Sequence, residues 1–144
     1  MAKSIIKLRG LEKTLKELNK RVSNVESAAP KAFTDVVLDL TGKSIDRAPV
    51  KDGMLRGSGF AEINGVRVAQ GMKGGGMKTL GTAPKVSKLR GKVGFSEEYA
   101  LIQHERLDFS HPQGGEAKYL ENPLKENRDK YINHIKNSIK KAVE

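Results

Sequence analysis

The chain has 144 residues, a formal charge of +10, 37% apolar residues and no tryptophan, which fits one domain with a modest, mostly aliphatic core. The absence of cysteine excludes a disulfide framework, a thiolate zinc site and a cysteine nucleophile. No apolar run approaches the roughly 18 residues that cross a bilayer, and no apolar stretch of signal-peptide length follows Lys3, Lys7 and Arg9, so cytoplasmic synthesis and no membrane partner are expected.

Ile5, Ile6 and Leu8 suit either an edge strand or a helix start. From Leu8, the residues Leu11, Leu15, Leu18, Val22 and Val25 recur at spacings of three and four, a helical stripe too short to specify a coiled coil. The pattern resumes at Ala29, Phe33, Val36, Val37 and Leu40. This predicts a second helix over about 30–46, with Pro30 in its first turn and Ser27 as cap, or else one kinked helix. Ala48-Pro49 ends it, because the residue before proline avoids the helical region, and Lys51-Asp52-Gly53 reads as a turn.

Asn64-Gly65 between Phe60-Ala61-Glu62-Ile63 and Val66-Arg67-Val68-Ala69 predicts a β-hairpin, since both turn residues tolerate positive φ. The glycine-rich run that follows has little to offer a core. A mobile basic loop is expected over about 71–91, with Lys92-Val93-Gly94-Phe95 as the return strand. A short helical or irregular piece is expected over 97–105. The final helix shows Leu120, Leu124, Tyr131, Ile135 and Ile139 on one face, with Asn122 as cap and Pro123 in the first turn. The expected class is α+β: a small antiparallel sheet with a hairpin, packed against a long N-terminal helical segment and a C-terminal helix, as a single domain over 1–144.

No acidic residue lies between Glu62 and Glu97, an interval holding Arg67 and six further basic residues, Lys73, Lys78, Lys85, Lys88, Arg90 and Lys92. One-signed charge attracts phosphate or an acidic surface, although it equally describes a solvated loop. These six side chains are the candidate DNA-facing residues. Aromatic residues hardly interleave with them, and no helix-turn-helix or zinc-finger signature is present, so any nucleic-acid contact is expected to be with phosphates.

Two of the three histidines and three of the seven Phe and Tyr residues fall within Tyr99–Leu124. His104, Glu105, Asp108 and His111 are metal-ligand types, but His-Glu-x-x-Asp-x-x-His is not the zincin spacing, which sets two histidines one helical turn apart. A satisfied polar cluster accounts for them better, and no metal or cofactor is expected. His134 lies apart on the final helix as an ordinary, partly exposed residue. Ser58, Ser87, Ser96 and Ser110 lack the Gly-x-Ser-x-Gly elbow of a hydrolase. Gly71–Lys78 is superficially like a phosphate-binding loop but lacks the Gly-Lys-Ser/Thr ending. No enzymatic activity is expected.

Two motifs carry a resemblance. Ala48-Pro49-Val50-Lys51-Asp52-Gly53-Met54-Leu55-Arg56-Gly57-Ser58 resembles the Ala-Pro-Val-x-x-Gly-x-Leu-Arg-x-Ser motif of the small tail-completion or head–tail joining ("neck") proteins of long-tailed bacteriophages. Tyr99-Ala100, Gln103-His104-Glu105, Phe109, His111-Pro112-Gln113-Gly114-Gly115, Lys118-Tyr119-Leu120-Glu121 and Pro123-Leu124 are similar to that family's run into its last helix. The resemblance spans about 5–143. It implies a non-enzymatic virion component with a long helix across a small sheet, assembled as a homo-oligomeric ring at the head–tail junction against other neck, connector or tail proteins; a place of the basic segment near passing DNA rests on its charge alone. Carried over, Leu55, Arg56 and Ser58 anchor the start of the sheet. Tyr99, His104, Glu105, Asp108, Phe109 and His111 shape a structural turn or subunit contact. The competing expectation is a free basic nucleic-acid-binding protein.

Overall fold

The computed structural model describes residues 6–8, 23–50, 53–86, 88–106 and 114–144. Its elements, in order, are β1 (Ile6–Leu8), α1 (Ser23–Arg47), α2 (Met54–Gly57), β2 (Gly59–Ile63), β3 (Val66–Gly71), β4 (Met77–Thr79), β5 (Gly91–Phe95), α3 (Ala100–Glu105) and α4 (Glu121–Val143). The class is α+β. The sheet is antiparallel throughout, in the order β1-β5-β2-β3-β4. Of the two readings of the first apolar run, the edge strand holds. The expected stripe over Leu11–Val22 lies outside the described residues.

The hairpin forms where the sequence places it. Asn64 takes φ 52° and Gly65 φ 82°, the double positive φ of a type I′ turn, whose twist matches that of the flanking strands. A register shift between Ala61 and Glu62 then lets β3 bend. Cross-strand partners share a face: Ala61 pairs with Ala69 and Val93, all fully buried.

The inner face packs against α1. Val25, Ala29, Ala32, Phe33, Val36, Val37 and Leu40 are buried along one stripe of that helix. Thr34 and Thr41 are buried on it too, each hydroxyl donating to the carbonyl four residues back (Pro30, 2.7 Å; Val37, 2.6 Å). α1 already includes Ser23, so Pro30 sits inside it rather than in its first turn, and Ser27 is not the cap. An interior proline forfeits one backbone hydrogen bond. Burial of Val25 and Ala29, both ahead of the proline, offsets the loss; whether this helix is one with the preceding stripe falls outside the described residues.

α4 runs antiparallel to α1, and a ladder of polar pairs records the register. Asp35 meets His134 (3.0 Å), Asp39 accepts from Tyr131 (2.5 Å), Lys43 donates to Asn127 (3.2 Å), and Arg47 holds Glu126 through two 2.7 Å bonds. Burial pushes the Asp39 carboxyl up, but hydrogen bonds from Lys43 and Tyr131 outweigh it and hold the group below its ordinary value. Beneath the ladder lie Tyr131 and Ile139, both buried, with Leu124 and Ile135 packed beside them.

The segment expected as a glycine-rich loop over 71–91 is partly strand. Gly71 ends β3, and Met77–Thr79 forms β4, pairing Met77 with Gly71 and Thr79 with Ala69. Beyond β4 the chain is fastened to its surroundings. The Ala83 amide donates to the Thr34 hydroxyl (2.9 Å), and Ala83 and Leu89 are buried. The Asn64 side chain donates to the Lys88 carbonyl (3.0 Å) and accepts from the Arg90 amide (2.8 Å), tying this segment to the hairpin tip.

Candidate functional site

The two motifs meet in space. α1 ends at Arg47, and Ala48-Pro49 turns the chain away, both residues buried. Gly53, at φ 84°, starts α2, which places Leu55 in the core with 2% of its surface exposed. Arg56 then reaches back. Its guanidinium donates to the carbonyls of Asp46 (2.7 Å) and Ala48 (2.8 Å), and more weakly to Gly74 (3.3 Å). Those first two carbonyls belong to the end of α1, where backbone acceptors lack helical partners and partial negative charge collects. The planar fork of arginine serves both at once, which a lysine ammonium does with less fixed geometry. Ser58 donates to the Leu55 carbonyl (2.8 Å), and its own carbonyl accepts from the Ser96 amide (3.1 Å), joining α2 to the end of β5.

Against this corner lies the second motif. The Val50 amide donates to Gly114 (3.3 Å), and the Glu116 amide to Arg47 (2.8 Å). Gly115 has φ 97° and lies on the Pro49 backbone. A Cβ there would stand 2.6 Å from the Pro49 nitrogen and 2.7 Å from the Ala48 carbonyl carbon, so only glycine fits.

The second motif is itself organised around Tyr119, which is fully buried. Its ring packs edge-on against Phe95 (centroids 4.9 Å apart) and His104 (5.1 Å), and its hydroxyl donates to the Ala100 carbonyl (2.6 Å). Such aromatic pairs add about 0.5–1.5 kcal/mol beyond burial. His104 is 6% exposed. Its Nε2 accepts from the Glu121 amide (3.1 Å), and its Nδ1 faces the Glu105 carboxylate (2.8 Å). An acceptor at Nε2 places the proton on Nδ1, which donates to Glu105. Glu105 also pairs with Lys118. The hydrogen bond from Lys118, then that from His104, holds the Glu105 carboxyl below its ordinary value.

His104 therefore does the capping at the start of α4 that the sequence assigns to Asn122. The helix begins at Glu121, whose amide His104 satisfies. Asn122 instead donates to Glu116 (3.2 Å) and lies inside the first turn. No local pattern announces a cap supplied from 17 residues away. Among the described residues no group of three or more ligand-type side chains converges as a metal site. Asp108, Phe109 and His111 lie outside the described residues. His134 is exposed and paired with Asp35.

Of the basic set, Lys73, Lys78, Lys85, Lys88 and Arg90 are exposed, and Lys92 is half-buried. Lys78 sits on β4 rather than in a loop, and Lys92 on β5, the expected return strand. Arg67, in the acid-free interval but not among the six candidates, lies on the same sheet face as Lys78 and Lys92. Several apolar residues are exposed: Leu101 and Ile102 on α3 (37% and 51%), Met54 on α2 and Ile132 on α4.

No family model, curated protein or solved structure matches this chain.

Proposed function

We propose that the chain is a structural virion protein of a long-tailed phage that joins head and tail as a tail-completion or neck component. It is assembled in the bacterial host cytoplasm into a homo-oligomeric ring and resides at the head–tail junction. The observation that carries this reading is the junction of the two motifs. Arg47–Ser58 and Gly114–Glu121 interlock through backbone bonds and the Gly115–Pro49 contact, so residues of catalytic type are committed to holding a corner. His104 and Glu105 cap and brace α4. The exposed apolar residues of α3, Leu101 and Ile102, supply surface for a neighbouring copy or another neck protein.

Electron microscopy of lysates from a source phage or prophage with this gene disrupted tests the reading. Full heads beside separate, unjoined tails are expected. Normal joined, infectious particles would overturn it. They would favour the second reading, a free basic nucleic-acid-binding protein, which draws on the exposed cations between Lys73 and Arg90.

A further inference from the structure

We propose that the outer face of the sheet is a docking surface for the phosphate backbone of duplex DNA, read without regard to sequence. The proposal deepens the DNA-facing part of the joining reading and rests on it for its biological setting.

Strand register decides which side chains share that face. Gly59 looks toward α1, since a Cβ there would meet Ile45 at 2.6 Å, and Ala61, Ile63 and Val93 lie on the same side, fully buried. Their neighbours in sequence therefore point the other way. Phe60 pairs with Gln70 and Gly94, and Gln70 with Lys78; Glu62 pairs with Arg67 and Lys92. Lys78 and Lys92 stand three strands apart, about 14 Å at the usual strand spacing. The only carboxylate in these two rows is Glu62, and Arg67 engages it at 3.3 Å. The field left over is positive.

The same face explains why the partner is a backbone rather than bases. Phe60, the sole aromatic in those rows, is 7% exposed and lies under the Arg67 guanidinium, 4.3 Å from the ring centroid. Bases therefore find no platform to stack on, which a single-strand binder would present. Within these two rows no apolar side chain is bare, the exposed Leu80 and Val86 lying beyond β4, so the rows hold no anchor for a protein interface. Lysine ammonium groups on flexible stems suit phosphates as point charges. Lys73 and Lys85, both exposed, extend the positive surface at the β4 side.

The test is fluorescence anisotropy on the purified full chain, with a labelled random 30-base-pair duplex, its single strand, and poly-glutamate as a competing acidic polymer. With about five phosphate contacts, duplex affinity should fall about 500-fold between 50 and 200 mM salt. Lys78→Gln with Lys92→Gln should weaken binding at least tenfold at about 100 mM salt and flatten the salt slope by about 2. Lys78→Gln alone, on the edge strand, should show part of that loss. Lys136→Gln with Lys140→Gln removes the same charge from the exposed side of α4, beyond α1 from the sheet, and should change binding less than twofold.

Any of four results would overturn the proposal: no duplex binding at 50 mM salt, tighter binding to the single strand, preference for poly-glutamate, or equal losses from the α4 pair. Each is read in solution, so this surface can fail while particle morphology still supports joining, and the reverse.

Discussion

Replacing Gly115 by alanine tests the interlock of the two motifs most directly, and Gly114 provides its internal control. Both glycines have positive φ, 97° at Gly115 and 107° at Gly114, so alanine at either position meets a backbone penalty of about 1–2 kcal/mol. The positions differ in what a Cβ would touch. At Gly114 nothing lies within 4 Å. At Gly115 the new carbon would overlap main-chain atoms of Ala48 and Pro49, which cannot rotate away as a side chain can. The 114–116 segment must then lift from the corner, weakening the Val50–Gly114 and Glu116–Arg47 bonds, at roughly 0.5–1.5 kcal/mol each. Gly115→Ala should therefore cost about 2–5 kcal/mol and Gly114→Ala about 1–2 kcal/mol. With a urea dependence of about 2 kcal/mol per molar, the unfolding midpoints of the two variants should differ by about 1 M. Equal midpoints would refute the argument, because the close approach to Pro49 would then contribute nothing.

Two further substitutions probe the motifs and the helix ladder. His104→Phe keeps a ring against Tyr119 but leaves the Glu121 amide without its acceptor. A loss of about 1–2 kcal/mol and faster amide exchange in the first turn of α4 are expected; a melting temperature raised by zinc in the wild type but not the variant would instead make His104 a ligand. Asp39→Asn tests the pH dependence of the ladder. The folded carboxyl sits below its ordinary value of 3.8, so the unfolded chain takes up a proton first on acidification. Its contribution is complete above about pH 5 and is lost as pH falls through the folded value. Because the side chain is 43% exposed, screening limits the effect to about 0.5–1 kcal/mol at pH 7. The gap in urea midpoint between wild type and variant should narrow as pH falls below the ordinary value of 3.8, and a gap that stays constant through acidification would refute the linkage.

The elements most legible in the sequence are those set by neighbouring residues. Asn64-Gly65 announces its turn because positive φ is a property of those two residues and the strands beside them. The apolar spacing of Leu120, Leu124, Tyr131, Ile135 and Ile139 announces α4 because a helix repeats every 3.6 residues wherever it packs. Helix ends were less legible. Pro30 and Ser27 look like a beginning, but α1 already includes Ser23 and buries Val25 and Ala29. Asn122 looks like a cap, but His104 takes that role from across the fold. The glycine-rich run reads as loop because β4 is only three residues long and depends on β3 for its pairing.

For the site, the sequence named Leu55, Arg56, Ser58 and His104 without their partners. It determined which side chains are available: Leu55 for the core, Arg56 and His104 for hydrogen bonding, and a long interval free of acids. Only the tertiary structure decided that Arg56 closes the end of α1, that Gly115 rests on Pro49, and that Arg67 joins Lys78 and Lys92 on one face. Those relations depend on distances between segments far apart in the chain. Local chemistry limits such distances but does not set them; packing of α1 against the sheet and of α4 against α1 does.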